Sequence, residues 1–312
     1  LQIGGAAQLD VTSSNNFSLS VAGDWTVSSA NADPFIERAG TVTLNGSAGI
    51  QALNTALSQE NFYNLTINNT SGSAPAVECN KHLYVSQAYR QLDGMVDLKG
   101  NNLTVVSANN TGTFTTCTLS GGSIITTISG SQVSFSDTND STYVNFAGTH
   151  VGTSNFPIPL NINTGRINIE NLHLYGTGNF TKTYPLDDAV ATGGNKYYSN
   201  VTFTATTSAS RWRFSTDDGA LPDSFFAKAT FNAYANGGSN NNFIIGANSV
   251  GNYYADSVWL TSTTIGGLFI GRQNGATSGT QSSHTFNGHV EVTVTHTGNI
   301  TFADGIPTLP ST

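Results

Sequence analysis

The chain has 312 residues, of which 10% are charged, and 11 Lys and Arg stand against 19 Asp and Glu for a formal charge of -8. An average soluble domain is about 25% charged, so this chain lacks the side chains that cover helices in water, and its Asn, Ser, Thr and Gly favour turns and half-exposed strands. The acidic balance argues against a nucleic-acid partner, and no apolar run approaches the roughly 18 residues of a membrane helix.

The first half of the chain contains short runs in which polar and apolar residues alternate, the pattern of half-buried strands. These runs cover residues 17–25, 40–46, 62–69 and 92–105, and residues 166–174 form a further pair of strands. Each short strand alternates faces and therefore buries only two or three side chains.

The second half contains a repeated aromatic pair followed by a short alternating strand. The pairs lie at 197–198, 225–226 and 253–254, so that 28 residues separate Tyr198 from Phe226 and Phe226 from Tyr254. A weaker fourth copy at 285–292 places Phe286 32 residues after Tyr254. Repeats of this length indicate a solenoid, in which stacked coils build a core that a single coil cannot.

We therefore predict an all-β chain that folds as a right-handed parallel β-helix, or β-solenoid, with irregular coils of about 20–32 residues. One continuous solenoid is predicted over residues 1–306, with its more regular coils at 197–302 and a tail or the start of a linker at 307–312. Phe203, Phe231 and Leu260 are predicted to be buried, each stacked above its counterpart.

The aromatic pairs also suggest a binding surface. Neighbouring residues on a strand face opposite sides, so each pair should send one ring into the core and one outward. We predict an exposed aromatic stripe at Tyr197, Phe225 and Tyr253, which would contact a sugar or a protein.

One turn-rich segment contains three carboxylates close to two arginines. Asp217, Asp218 and Asp223 follow Arg211 and Arg213. Carboxylates in such turns are usually solvated Asx-turns. A structural Ca²⁺ held by the three Asp side chains is the alternative, and a catalytic group formed with the two Arg side chains is a third hypothesis. No cofactor other than this Ca²⁺ is expected.

Two further patterns carry chemistry. Cys79 and Cys117 are too few for a disulfide scaffold and fit no zinc spacing, which leaves either two buried thiols or a single disulfide.

Thr-x-Thr triplets at 202–204 and 293–295 are of the kind that line ice-binding solenoids, but they do not recur at a fixed interval, so an ice-binding face is not predicted.

Four segments together carry a resemblance to a known family. Gly-Asp-Trp at 23–25, Gly-Thr-Val-Thr-Leu-Asn-Gly at 40–46, Phe-Tyr-Asn-Leu-Thr-Ile-Asn-Asn at 62–69 and the Leu-Asp-Gly to Leu-Thr-Val run at 92–105 occur in this order. The order resembles the repeats of very large surface adhesins of type IX-secreting bacteria, including the gliding-motility adhesin. The resemblance is most specific over residues 20–106.

The resemblance implies an extracellular, non-catalytic adhesin or stalk segment at the bacterial cell surface, active in attachment or gliding motility. It implies a place in a longer repetitive chain that meets a surface, glycan or protein ligand. It also makes Ser141 and Ser257, each preceded by Asp, candidates for O-glycosylation. A carbohydrate-active β-helix enzyme, a polysaccharide lyase or hydrolase, is the alternative that the fold leaves open.

Overall fold

The structure is a computed structural model in which the described residues are all-β and contain no helix. They form two compact units, Leu1–Leu160 and Asn161–Thr312, and the strands of each unit stack in parallel coils, which confirms the predicted β-solenoid. The described residues are 1–12, 14–107, 115–137, 142–183, 193–206, 211–214, 221–234, 242–245, 251–262, 268–270, 284–295 and 300–302.

The first unit is built from coils whose strands stack into sheets. The first sheet contains Gln2–Ile3, Trp25–Val27, Gln51–Thr55, Val77–Cys79, Val96–Asp97, Ser123–Ile125 and His150–Val151. The second contains Gln59–Asn68, His82–Asp93, Leu103–Ser107 and Val133–Asp137, beside a two-stranded sheet of Leu9–Asp10 and Phe35–Ile36. The third contains Leu19–Val21, Thr41–Leu44, Thr115–Leu119 and Thr142–Ala147, and it is continuous with the second because both pair with the two long strands Gln59–Asn68 and His82–Asp93.

The core of the first unit follows from the alternation in the sequence. In the strand Thr41–Leu44 the two threonines point outward while Val42 and Leu44 are buried. Parallel register then places Val42 next to Leu65 and Leu44 next to Ile67, so like side chains stack from coil to coil. Full burial of each such aliphatic side chain contributes about 1.5–3 kcal/mol.

The second unit repeats this plan. Its first sheet contains His173–Leu174, Lys196–Tyr197, Ser224–Phe225, Tyr253–Tyr254 and Thr285–Phe286. Its second contains Gly178–Lys182, Val201–Ala205, Ala229–Ala233, Val258–Ser262 and Val290–Val294, preceded along the chain by Leu160–Thr164 and Arg166–Glu170. Its third contains Arg211–Phe214, Asn242–Ile245, Leu268–Ile270 and Ile300–Phe302.

The predicted core stack of the second unit is confirmed. Phe203 pairs in register with Phe231, and Phe231 with Leu260. All three side chains are buried, and the rings of Phe203 and Phe231 lie 5.2 Å apart in a stacked arrangement. That one solenoid runs through residues 1–306, and that it is right-handed, stay predictions.

Candidate interaction surface

In the second unit the inward rings of the aromatic pairs stack in a column. The pairing in this column departs by one residue from the 28-residue spacing on which the prediction was based. Tyr197 pairs with Phe225, and Phe225 pairs with Tyr254 rather than with Tyr253. The rings of Tyr197, Phe225, Tyr254 and Phe286 stack with centroids 4.8 Å apart at each step. The predicted exposed stripe is therefore wrong at Tyr197 and Phe225, both of which are fully buried.

The cause is an unequal coil length. Tyr197 and Phe225 are 28 residues apart, whereas Phe225 and Tyr254 are 29 apart. The 28-residue spacing in the sequence instead aligned Tyr198 and Phe226, which face outward, with Tyr254, which faces inward. Because side chains alternate, a slip of one residue exchanges the buried and exposed members of a pair.

The outward rings form a second column, which we call the outer aromatic column. It consists of Tyr175, Tyr198, Phe226 and Tyr253, with ring centroids 4.4, 5.0 and 6.1 Å apart in that order. Tyr198 is 37% exposed and Phe226 is 43% exposed, while Tyr253 is half-buried. Of the three predicted stripe residues, Tyr253 alone is a member of this column.

The geometry of the outer aromatic column limits how it can bind. Its first three rings are nearly parallel, with interplanar angles of 10° and 6°, so their faces cover one another and their edges meet solvent. Tyr253 is tilted by 60° to Phe226. A sugar that stacks on an aromatic face can therefore use the ends of the column, whereas an extended partner can contact the row of positively polarised edges.

Polar residues follow two rows on the outward face of the second sheet in the same unit. One row places Thr202 and Thr230 beside Trp259, and the other places Thr204, Asn232 and Thr261 in register. The two rows continue with Glu291 and Thr293, so the Thr-x-Thr triplets at 202–204 and 293–295 do not lie in register with each other. Trp259 further interrupts the face, because it is 39% exposed and carries the Lys228 ammonium 3.2 Å from its ring centroid.

The predicted surface turn at Asp223 is wrong. Asp223 is fully buried, and its Oδ1 accepts hydrogen bonds from the backbone N and the Nδ2 of Asn195, both at 2.9 Å. Asp217 and Asp218 lie outside the described residues, as do the side chains of the two Arg residues predicted near them. Within the part of the chain that the structure describes, no three His, Cys, Asp or Glu side chains cluster as metal ligands would.

The candidate O-glycosylation sites stay predictions. Ser141 lies outside the described residues. Ser257 is half-buried in a turn, where its backbone N and its hydroxyl donate to Oδ1 of Asp256 at 2.6 and 3.0 Å.

The two cysteines are free, buried thiols on different sheets, so of the two alternatives the structure contains the one without a disulfide. Cys79 pairs with Leu53 and Cys117 with Val144. Burial raises the pKa of both thiols, that of Cys117 to about 11.

We expect neither thiol to react with an aromatic disulfide reagent at pH 8 in the folded protein, because the reactive thiolate is suppressed and access is blocked. In denaturant, without reductant, both should react. Thiol titration measures this directly. A denatured, unreduced sample with no reactive thiol would contradict the structure and restore the disulfide.

A buried carboxyl group in the first unit escaped the sequence reasoning. Glu60 is only 3% exposed, and its Oε1 accepts a hydrogen bond of 2.9 Å from Nε1 of Trp25. Burial raises the pKa of Glu60 to about 7, which hydrogen bonds from Trp25 and Thr55 only partly oppose. The alternation offered a signal, since Glu60 lies two residues before Phe62 and therefore on the same inward face.

These features define a β-solenoid protein whose coils are filled by side chains and whose polar and aromatic faces extend along the stack. Comparison with known proteins finds no matching family model, no matching curated protein and no matching solved structure. Among the described residues there is no helix with the length and apolar character to cross a membrane.

Proposed function

We propose that this chain is a non-catalytic extracellular segment of a bacterial surface protein, which acts in adhesion or as a stalk, including attachment during gliding motility. The observation that supports it best is the outer aromatic column, a row of partly exposed rings that stack from coil to coil on a chain of which only 10% is charged. Large exposed side chains on a rigid face are typical of interaction sites.

Two further observations agree with this proposal. The coil interiors are packed with aromatic and aliphatic side chains, so the long outer faces are what a partner can reach. The sequence order at 23–105 resembles the repeats of type IX-secreted adhesins, whose location at the cell surface is extended to this chain as part of the proposal.

The test replaces the two most exposed rings of the column. We expect a Tyr198→Ser, Phe226→Ser double variant to bind a panel of glycans and abiotic surfaces at least about fivefold more weakly than the unaltered chain, because exposed aromatic anchors supply most of the energy of such contacts. Its thermal stability should fall only slightly, since exposed stacked pairs contribute about 0.5–1.5 kcal/mol.

The matched control is Phe225→Ser, which changes the neighbouring inward ring. That variant should lose stability first, by about 3–5 kcal/mol, through a cavity in the core. Unchanged binding by the double variant would refute the role of the column. Release of new reducing ends or of unsaturated sugars from a polysaccharide panel would favour the enzyme instead.

A further inference from the structure

A shallow groove opens on the outward face of the third sheet in the first unit. Its volume is about 120 Å³, and its described lining residues are Thr41, Asn64, Thr66, Ala88 and Arg90. Three consecutive coils contribute these side chains. Thr41 pairs with Asn64, Asn64 with Ala88, and Thr66 with Arg90, so the groove is a compact patch of neighbouring positions.

A β-bulge forms one side of this groove. The strand His82–Asp93 spans one residue more between Val85 and Ala88 than its partner strand spans between Phe62 and Asn64. Bulges bend a strand and re-aim its side chains, and they are frequent beside binding sites. Directly after the bulge, the small side chain of Ala88 leaves space beside the long side chain of Arg90.

The chemistry of the groove is that of a site for an anion. Within the described part of the chain Arg90 forms neither an ion pair nor a side-chain hydrogen bond, and none of the described lining residues is acidic. Thr41 and Thr66 add hydroxyl groups that can donate. A guanidinium that has no acidic partner among the described residues is notable in a chain whose formal charge is -8.

We propose that this groove binds the carboxylate of a sugar acid. The planar fork of a guanidinium matches the two oxygens of a carboxylate, and a single cation balances a monoanion. The two threonine hydroxyls and the Oδ1 of Asn64, whose Nδ2 donates to the carbonyl of Gly40 at 3.1 Å, can meet the hydroxyls of a sugar ring. The groove lies on the first unit, and the inference does not depend on the outer aromatic column or on the adhesin proposal.

The test titrates the whole chain with galacturonate and with galactose, and follows the amide and arginine side-chain resonances by NMR. We expect galacturonate to bind with a dissociation constant in the millimolar range, as a small shallow site permits, and to shift resonances of Arg90 and Thr66. Galactose, which lacks the carboxylate, should bind at least about tenfold more weakly.

Four variants separate this site from general charge effects. Arg90→Gln should weaken galacturonate binding at least about tenfold, and Arg90→Lys should weaken it by less. Ala88→Val should also weaken it while the charge is kept, because it fills the floor of the groove. Lys81→Gln removes an exposed positive charge from the same unit and should leave binding unchanged.

Three outcomes would overturn the proposal. These are equal affinity for galactose and galacturonate, the same loss in Lys81→Gln as in Arg90→Gln, and inorganic sulfate that binds to the groove as tightly as galacturonate. Circular dichroism and thermal unfolding identify variants that fail to fold. If Arg90→Gln is among them, Arg90→Lys and Ala88→Val decide the question.

Discussion

Replacement of Glu60 by Gln is expected to remove a pH dependence that the unaltered protein shows between about pH 4.5 and about pH 7. The ordinary pKa of a Glu side chain is 4.5, and burial raises that of Glu60 to about 7 in the folded chain. The folded state therefore holds this proton more tightly than the unfolded state does. The contribution of Glu60 to the free energy of unfolding is therefore fully present below pH 4.5 and is lost as the pH rises through about 7.

The shift of the Glu60 pKa corresponds to a loss of about 3 kcal/mol once the pH exceeds 7. Gln keeps a side-chain oxygen to accept the hydrogen bond from Nε1 of Trp25, and it has no charge to bury. The Glu60→Gln variant should therefore be more stable than the unaltered chain at pH 8 and nearly equal to it at pH 4.5.

The measurement is denaturant unfolding at a series of pH values, with hydrogen exchange of the strand Gln59–Asn68 to localise the effect. The difference between the two proteins is the quantity of interest, since other groups titrate in both. Glu291→Gln is the matched control. Glu291 is exposed and its carboxylate lies 3.9 Å from the exposed His289, so this surface substitution should change the free energy of unfolding by no more than about 0.5 kcal/mol. If the free energy of unfolding changes with pH in the same way for Glu60→Gln and for the unaltered chain, Glu60 does not titrate as expected.

The strands could be predicted because each one alternates polar and apolar residues. The solenoid could be predicted because similar strands recur at intervals of about 28 residues in the second half of the chain. In Val201–Ala205 the burial alternates at every residue, as the sequence Val-Thr-Phe-Thr-Ala indicates. The partners within the stack could not be predicted equally well. Pairing depends on turn lengths that vary from coil to coil, as the unequal intervals from Tyr197 to Phe225 and from Phe225 to Tyr254 illustrate.

The groove beside Arg90 could not be predicted for a related reason. Thr66 and Arg90 are 24 residues apart in the chain, and they meet only because two long strands pair with a bulge between them. A bulge adds one residue without changing the alternation visible on either side. The alternating runs in the sequence indicated a strand at 62–69 but not the strand His82–Asp93, so the surface that the two strands form together was missed.

The polar residues that precede the inward rings of the second unit form a ladder that their spacing in the sequence indicates. Asn195, Asp223, Asn252 and His284 each lie two residues before an inward ring of the aromatic column, and therefore face the same side. Each accepts a hydrogen bond from the backbone N of the residue stacked before it. The distances are 2.9 Å from Asn195 to Asp223, 2.9 Å from Asp223 to Asn252 and 3.1 Å from Asn252 to His284.

Asn195 is the most connected member of this ladder. Its Oδ1 accepts from the backbone N of Leu172 at 2.9 Å, and its Nδ2 donates to the carbonyl of Ile169 at 3.1 Å and to Oδ1 of Asp223 at 2.9 Å. The side chain is 1% exposed, so water cannot replace these partners without local opening. A buried donor or acceptor left without its partner costs about 1–3 kcal/mol.

We expect Asn195→Ala to lower the free energy of unfolding by about 3 kcal/mol or more, since three hydrogen bonds are lost together. Exchange of the Leu172 amide proton should accelerate, because that donor loses its acceptor. Asn195→Asp should also be destabilising although it keeps an oxygen for Leu172, since it places a second buried carboxyl beside Asp223. Denaturant unfolding and hydrogen exchange measure the two effects.

The control is Asn179→Ala, which removes an exposed Asn side chain of the same unit whose Nδ2 donates to Oδ1 of Asn161 at 2.8 Å. A surface substitution of this kind should change stability by no more than about 0.5 kcal/mol. If Asn195→Ala is no more destabilising than Asn179→Ala, the ladder does not hold the coils together. A large loss of unfolding free energy in Asn195→Ala alone would show that backbone N–H groups at this edge of the coils depend on buried side-chain acceptors. The polar residues before each inward ring would then help to set the register between coils.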